Sequence, residues 1–555
     1  MYGGYIMKKP ILEEMTLREK IGQTAVSYCD NDMKHPEHTQ WGSVYVTGGM
    51  RFKEFNARFD AKPDKGAHYL DWVKLMEDVN PTFKAPILAV TDNAIGLCGV
   101  LSGFDKLTTS ALIGAADNEE LAYKAGRARA LQMRLAGIKW WWGPVVDVPA
   151  WKEPIMSCRP FSMDKDRVIR LAKAMAKGSM DAGVAPCAKH FPGEDGIEYR
   201  DGHITTMVNY MSLEEWEEVH GKIYRAMIED GIPSIMTAHT AFPAIDDSLV
   251  GGNYRPASIS YKIVTEFLKG KLGFKGAVVT DGLTMRELSA SLGDSMERVY
   301  IEAFKAGNDF MLGCMGFYID CIEKAVLSGE IPMERVDDAC RRALDLKEKL
   351  GMFEDDFKVA EGDFDEVSNF CIETNREIAN KGIHLQCDSM NLIPVKKENI
   401  KKAAIIYFCP NTSVRAEYEA VKNSLEKRGA EVTVFETLTS RDQMAQIGKE
   451  YDLIVYLAHY GVNGTFVDPE YRAFYYALLA GSEKSVVINT SDHTMYYEFF
   501  TKFPCFINTF SAEKTVLEEA VAKIYGESEF TGICPFPVYP PKVSEFLKDK
   551  PFKML

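Results

Sequence analysis

The first clear local signal is Met15 to Gln23, where Thr16 precedes a helical stretch and Glu19 stands three positions later, the spelling of a capping box. Beyond it, short apolar runs that end in a polar residue alternate with helical stretches. The runs are Ser43 to Val46, Ile87 to Thr91, Trp140 to Val146, Ala185 to Ala188, Ser234 to Ala238, Ala277 to Thr280 and Phe310 to Leu312. Runs this short and this uniformly apolar read as parallel strands buried on both faces. Glu119 to Ala136, Arg167 to Ala182, Leu213 to Asp230 and Lys262 to Lys271 read as the intervening helices. The alternation predicts an α/β fold whose residues 1–352 form a TIM-type (β/α) barrel. An open doubly wound sheet is the competing arrangement, since the pattern does not encode closure.

Residues 353–370, rich in Asp and Glu, read as a linker. A second alternation follows in residues 371–530, with apolar runs at Ala403 to Cys409, Val432 to Phe435, Leu453 to Ala458, Val486 to Asn489 and Cys505 to Asn508. With helical stretches such as Arg415 to Lys427 between them, these predict a smaller doubly wound α/β sandwich domain. Residues 531–555 carry Pro535, Pro537, Pro540 and Pro541 and are expected to be an extended surface tail.

Charge narrows the partners. Against 65 Lys plus Arg stand 80 Asp plus Glu, a net charge of −15, so the average field repels polyanions and argues against nucleic acid and anionic membranes. No signal-peptide core and no long apolar span is present, and the twelve cysteines are scattered without a CxxC pair. The expectation is a soluble cytoplasmic protein whose cysteines are reduced core thiols. The sequence carries no signal for an oligomeric state.

In a (β/α) barrel, reactive side chains belong at the carboxyl ends of the strands. The residues that end the apolar runs here are Asp92, Asp147, Lys189 with His190, His239 and Asp281. Convergence of these polar groups on one rim points to an active site, whereas Asp147 taken alone is equally a turn cap and His239 a rim hydrogen-bonding group. After Lys189-His190-Phe191-Pro192-Gly193 comes a Gly-rich polar loop in which Asp201 and His203 are separated by one glycine. An aspartate that orients an imidazole makes a proton carrier for near-neutral pH, although such a triplet also occurs in solvated loops. Asp281, at the end of a buried run, is placed as a nucleophile, or equally as a turn residue before Gly282.

Taken together, Met15-Thr16-Leu17-Arg18-Glu19-Lys20-Ile21-Gly22-Gln23, Gly143-Pro144-Val145-Val146-Asp147-Val148, Arg159-Pro160-Phe161-Ser162, Lys189-His190-Phe191-Pro192-Gly193, Asp201-Gly202-His203 and Thr280-Asp281-Gly282-Leu283-Thr284-Met285 resemble the family 3 glycoside hydrolases. The branch they look most like is the β-N-acetylhexosaminidases. The resemblance implies a retaining exo-acting hydrolase of β-linked N-acetylglucosamine or a related β-hexoside, without a cofactor or metal. Asp281 would form the glycosyl-enzyme and His203, paired with Asp201, would be the acid-base group, an exception to the two-carboxylate pattern. Asp92, Arg159, Lys189 and His190 would contact sugar hydroxyls, and Met285 would line the pocket. Because a deprotonated histidine is neutral, it does not repel an anion, so phosphate as acceptor stays open beside water.

The chain also departs from the family pattern. The usual Asp-Gln-Glu-Gly-Gly-Arg segment reads Asp92-Asn93-Ala94-Ile95-Gly96-Leu97, the flap reads Gly193-Glu194-Asp195-Gly196 where Gly-His-Gly is common, and Gly282 replaces a second aspartate. Three other readings compete with the hexosaminidase: a β-glucosidase-type member, a glycoside phosphorylase, and a catalytically silent sugar-binding protein on this fold. A metal-dependent barrel hydrolase would need a His-x-His pair after the first strand, and the ten histidines supply none there. Pro410-Asn411-Thr412 after the first run of the second domain is no phosphate-binding loop.

Overall fold

A computed structural model describes residues 8–28, 40–47, 69–80, 83–92, 97, 100–149, 158–193, 202, 205–354, 364–408, 414–436, 440–459, 481–491 and 503–536. The chain divides into two compact units. The first comprises Met1–Lys106, Ala122–Val148 and Ala172–Cys371, and the second Leu107–Leu121, Pro149–Leu171 and Ile372–Leu555. Two stretches from within the span predicted for the barrel therefore belong to the second unit.

Eight parallel strands build the first unit: β1 (Ala25–Tyr28), β2 (Ser43–Tyr45), β3 (Leu88–Thr91), β4 (Trp140–Trp141), β5 (Ala185–Phe191), β6 (Ser234–Thr237), β9 (Ala277–Thr280) and β10 (Met311–Cys314). A small antiparallel hairpin, β7 (Leu249–Val250) and β8 (Asn253–Tyr254), lies between β6 and β9 in the chain. The sheet order is β10-β1-β2-β3-β4-β5-β6-β9. A parallel bridge between Val279 and Phe310, with the Phe310 N–H donating to Val278 O at 3.0 Å, joins the two ends. The first unit is thus a TIM-type barrel and not an open sheet. The predicted capping box is present, with Thr16 accepting from the Glu19 N–H and Glu19 from the Thr16 N–H.

Differences from the expected elements have local causes. β1 follows the first helix after a single residue, Thr24, with no glycine or proline to announce it. The run Trp140 to Val146 stops pairing continuously after Trp141, because Gly143-Pro144 follows and proline has no N–H to give to a ladder. Val145 still bridges to Lys189. The helical stretch from Leu213 widens to a π-turn at Glu217–Gly221, and Lys262–Lys271 is π-helical.

The barrel interior is filled by Val26, Leu88, Val90, Trp140, Trp142, Cys187, Met236, Val279, Phe310 and Leu312, all buried. Side chains at i and i+2 share one face of a strand, so this list fixes which residues stand one layer higher at the carboxyl ends.

The second unit holds a six-stranded sheet of β11 (His384–Asp388), β12 (Lys402–Phe408), β13 (Glu431–Phe435), β14 (Leu453–Ala458), β15 (Ser485–Asn489) and β16 (Cys505–Asn508). Its order, β11-β16-β15-β14-β12-β13, reverses between β12 and β14, and all pairs are parallel except β11 with β16. This is the smaller doubly wound domain. β11 escaped the sequence pattern because it is an edge strand with only Cys387 buried. Helix Phe364–Gly382 begins inside the span expected to be a linker.

The described start of the tail is without helix or strand, with Thr531 and Ile533 exposed and Pro535 and Phe536 buried. The Ile533 N–H donates to Ala115 O at 2.9 Å, Pro535 O accepts from the Met163 N–H and the Ser162 hydroxyl, and Phe536 is buried. Gly532 packs so closely on the Gly382 carbonyl that a Cβ would lie 2.2 Å from it. No helix among the described residues is long and apolar enough to cross a membrane.

Candidate active site

Strand alternation positions the polar groups. Leu88 and Val90 point inward, so Asp92 does; Ala185 and Cys187 do, so Lys189 does; Ala277 and Val279 do, so Asp281 does. All three stand at the carboxyl ends of their strands, above a plug that includes Trp140 and Trp142. On β5 the pairing with β6 shifts register between Ala188 and Phe191. Lys189 and His190 lie within this irregular stretch, and both are buried and reach partners on neighbouring segments.

Asp281 is anchored at both ends of its backbone step. Its N–H donates to Thr237 O at 2.9 Å, and its Oδ1 accepts the Gly282 N–H at 2.7 Å. Oδ2 has no protein hydrogen-bond partner among the described residues. Burial pushes the carboxyl pKa up, but positive charge on His190, His239 and Lys189, with the Gly282 N–H, outweighs it and holds the group below the ordinary carboxylate value. The result is an ionised carboxylate of fixed heading, with one oxygen unpaired among the described residues.

Lys189 is almost completely buried and its ammonium pairs with Asp92. His190 donates its backbone N–H to Asp147 Oδ2 at 3.0 Å and places Nδ1 2.7 Å from the same oxygen. His239 is held by Ser258 Oγ at 2.7 Å from Nδ1, and its Nε2–H donates to Gly282 O at 3.0 Å, which fixes the turn after Asp281. Met285 caps that turn with its N–H on Gly282 O, and its Cε lies 3.3 Å from where a Cβ on Gly282 would sit. The root of the β5 loop is pinned by Trp216 Nε1 donating to Pro192 O at 2.6 Å and Asn209 Nδ2 donating to Gly193 O at 3.0 Å.

Asp92, Lys189, His190, Asp281 and Met285 are therefore all described within the barrel unit. Arg159 falls in the stretch 149–171 that belongs to the second unit. Asp201 and His203 lie outside the described residues, as do Asn93 to Gly96. At the position where the family pattern has arginine, Leu97 is completely buried, with its N–H donating to Gln132 Oε1 at 3.1 Å.

Sequence reasoning did not include Tyr28 and Tyr45 in the site. They end β1 and β2, with ring centroids 5.9 Å apart, and Tyr45 packs 4.9 Å from Trp142. Burial raises the Tyr45 phenol well above its ordinary pKa, and negative charge on Asp92 and Asp281 adds to the rise. The missing signal was β1: Tyr28 closes that strand and packs against Tyr45. Asp147 was seen only as a strand-end polar residue or turn cap, whereas it contacts His190 directly. Among the described residues, no group of three or more His, Cys, Asp or Glu stands together as a metal site.

The model of the glycosyl hydrolase family 3 N-terminal domain matches residues 16–346. Over 557 aligned residues the chain is 27% identical to a β-N-acetylglucosaminidase/β-glucosidase of Cellulomonas fimi, covering 96% of this chain and 95% of that one. It is 32% identical to a β-hexosaminidase of Thiobacillus denitrificans over 43% of this chain and 66% of that enzyme. Among solved structures, the β-glucoside phosphorylase BglX bound to 2FGlc superposes with a TM-score of 0.82 at 22% identity, covering 95% of each chain. A family 3 β-N-acetylglucosaminidase from Paenibacillus sp. str. FPU-7 gives 0.80 at 22%, covering 95% of this chain and 99% of that one. The barrel, the strand-end carboxylate with its cationic neighbours and the family match across most of the first unit lead to one assignment: this chain belongs to glycosyl hydrolase family 3.

Proposed function

We propose that the protein is a retaining exo-β-N-acetylglucosaminidase acting through Asp281, with Asp201 and His203 as the acid-base dyad. The observation that carries this reading is the Asp281 carboxylate held ionised, one oxygen tied to the Gly282 N–H and the other without a hydrogen-bond partner among the described residues. Oδ2 attacks the anomeric carbon while the bond from that carbon to the glycosidic oxygen breaks, and His203 gives its proton to the departing oxygen. In the second half, neutral His203 takes a proton from water, whose oxygen attacks the same carbon and releases Asp281. Asp92, Lys189 and His190 bind the sugar hydroxyls and Met285 lines the pocket.

The similarity to enzymes named β-N-acetylglucosaminidase and β-hexosaminidase supports the N-acetylglucosaminide substrate, and the double name of the Cellulomonas relative keeps β-glucosides as a second substrate class. Cytoplasmic residence is supported by the described cysteines, all of which are free thiols.

A panel of nitrophenyl glycosides, run with and without phosphate, tests the reading. Turnover of the β-N-acetylglucosaminide to the free sugar is expected; a requirement for phosphate with release of a sugar phosphate would replace hydrolysis by phosphorolysis, and binding without turnover of any glycoside would make the protein a silent receptor. Asp281→Ala is expected to lower kcat by 10⁴-fold or more, on the order of the loss of other catalytic nucleophiles. His203→Ala is expected to slow poor leaving groups far more than activated nitrophenols, which barely need a proton. Equal losses on both would assign His203 to binding.

A further inference from the structure

We propose that Asp147 is a positioning residue that fixes the tautomer and heading of His190, so that Nε2 is the imidazole atom offered to the sugar. What His190 touches rests on the glycosidase reading; the tautomer rests on geometry alone.

Asp147 is completely buried, two residues after the Val145 bridge to Lys189. A single oxygen, Oδ2, meets both the backbone N–H of His190 at 3.0 Å and its Nδ1 at 2.7 Å. The other oxygen, Oδ1, is buried without a hydrogen-bond partner among the described residues. Leaving a buried carboxylate oxygen unpaired costs stability, so the group is held where it is by what Oδ2 does. A turn cap would spend its oxygens on the N–H groups that follow it; Val148 makes no such bond to Asp147, and Pro149 has no N–H to give.

A carboxylate only accepts, so the bond at 2.7 Å puts the hydrogen on Nδ1. The backbone bond to the same oxygen ties the ring's base to the same point, leaving one rotation of the imidazole that satisfies both. Nε2 then faces away from Asp147. The neighbouring Lys189 ammonium is occupied by Asp92 and does not compete for Asp147.

Two substitutions separate this role from mere packing. Asp147→Asn keeps an oxygen acceptor in the same place and is expected to preserve the Nδ1–H tautomer and to hold kcat/KM within about threefold of wild type, since a neutral acceptor is weaker by roughly half. Asp147→Leu keeps the shape without an acceptor and is expected to release the ring to the Nε2–H form. Its KM should rise about 10- to 100-fold, as when a partner that orients a ligating histidine is removed, with kcat changed far less.

The readout is long-range ¹H–¹⁵N NMR of ¹⁵N-histidine-labelled full-length protein, with His190→Gln assigning the signal, together with kinetics on nitrophenyl β-N-acetylglucosaminide. An Nδ1–H signature in the wild type and in Asp147→Asn, lost in Asp147→Leu, supports the proposal. So does a double variant, Asp147→Leu with His190→Gln, that is no worse than His190→Gln alone. An Nε2–H wild type, an unchanged tautomer in Asp147→Leu, or additive losses in the double variant overturns it. Should the wild type turn over no glycoside, the glycosidase reading falls while the NMR still decides the tautomer.

Discussion

At the scale of the residue, Asp281 shows how neighbours reverse the effect of burial. Alone at a buried strand end it would be a weaker acid; the charges of His190, His239 and Lys189 and the Gly282 N–H make it a stronger one. The sign follows directly. A carboxyl depressed on folding stabilises the native state above its unfolded pKa and loses that contribution as pH falls through the lower native value. For catalysis, the acid limb of kcat/KM set by Asp281 should lie below the ordinary value of 3.8. His190→Ala removes one of the groups that oppose the effect of burial and should move that limb upward. A pH–rate profile of the variant with an unmoved acid limb would show that His190 does not set the ionisation of Asp281.

At the scale of the element, β5 carries Lys189 and His190 into the site, and Gly193 closes the pinned turn that follows it. Its φ is +101°, and a Cβ would lie 2.3 Å from His220 Nδ1 on the π-turn Glu217–Gly221. Gly252, at φ +85° with nothing within 4 Å of a Cβ, isolates the backbone cost. Gly252→Ala is expected to destabilise by about 1 kcal/mol and Gly193→Ala by about 3 kcal/mol, the difference being the clash. Equal urea midpoints for the two variants would contradict the packing of the π-turn against the loop root. This element also marks the limit of what could be read in advance. The apolar run Ala185 to Ala188 announced the strand, and the polar pair after it announced chemistry, but the register shift at Lys189 and His190 depends on β6 pairing, a long-range property. β1 was hidden because the first helix runs into it without punctuation, and with it went Tyr28. The antiparallel edge strand β11 was hidden for the opposite reason, having too few buried positions to read as a strand. Asp92 and Asp281 were legible because a polar residue that closes an apolar run in a barrel has one place to be.

At the scale of the whole molecule, the barrel carries buried charge away from the mouth as well. Lys347, completely buried on helix Met333–Lys349, donates to Gln23 Oε1 at 2.6 Å, and burial lowers its pKa to about 7. A lysine whose native pKa lies below its unfolded value binds more protons unfolded than folded between the two. Through this group the barrel should therefore gain stability as pH rises from about 7 toward 10, on the order of 1–4 kcal/mol. Lys347→Met should flatten that rise in urea unfolding followed across pH, and an identical pH dependence in the two proteins would place the titration elsewhere. Asp309 sits among Lys269 at 2.7 Å and Arg335 at 3.0 Å and accepts the Val278 N–H, so it ties the start of β10 to β9 where the barrel closes. Asp309→Ala removes a buried carboxylate shared by two part-buried cations, which keep Asp338 as a partner, and should cost about 1–3 kcal/mol, read as a lowered unfolding midpoint. The function of the assembled barrel reduces to whether Asp281 becomes covalently glycosylated. The direct measurement is mass spectrometry of the protein after reaction with a 5-fluoro-N-acetylglucosaminyl fluoride, which slows release of the intermediate. A single added sugar on the peptide that contains Asp281, absent from Asp281→Ala, is the predicted result; turnover with no adduct, or an adduct on another residue, would contradict it.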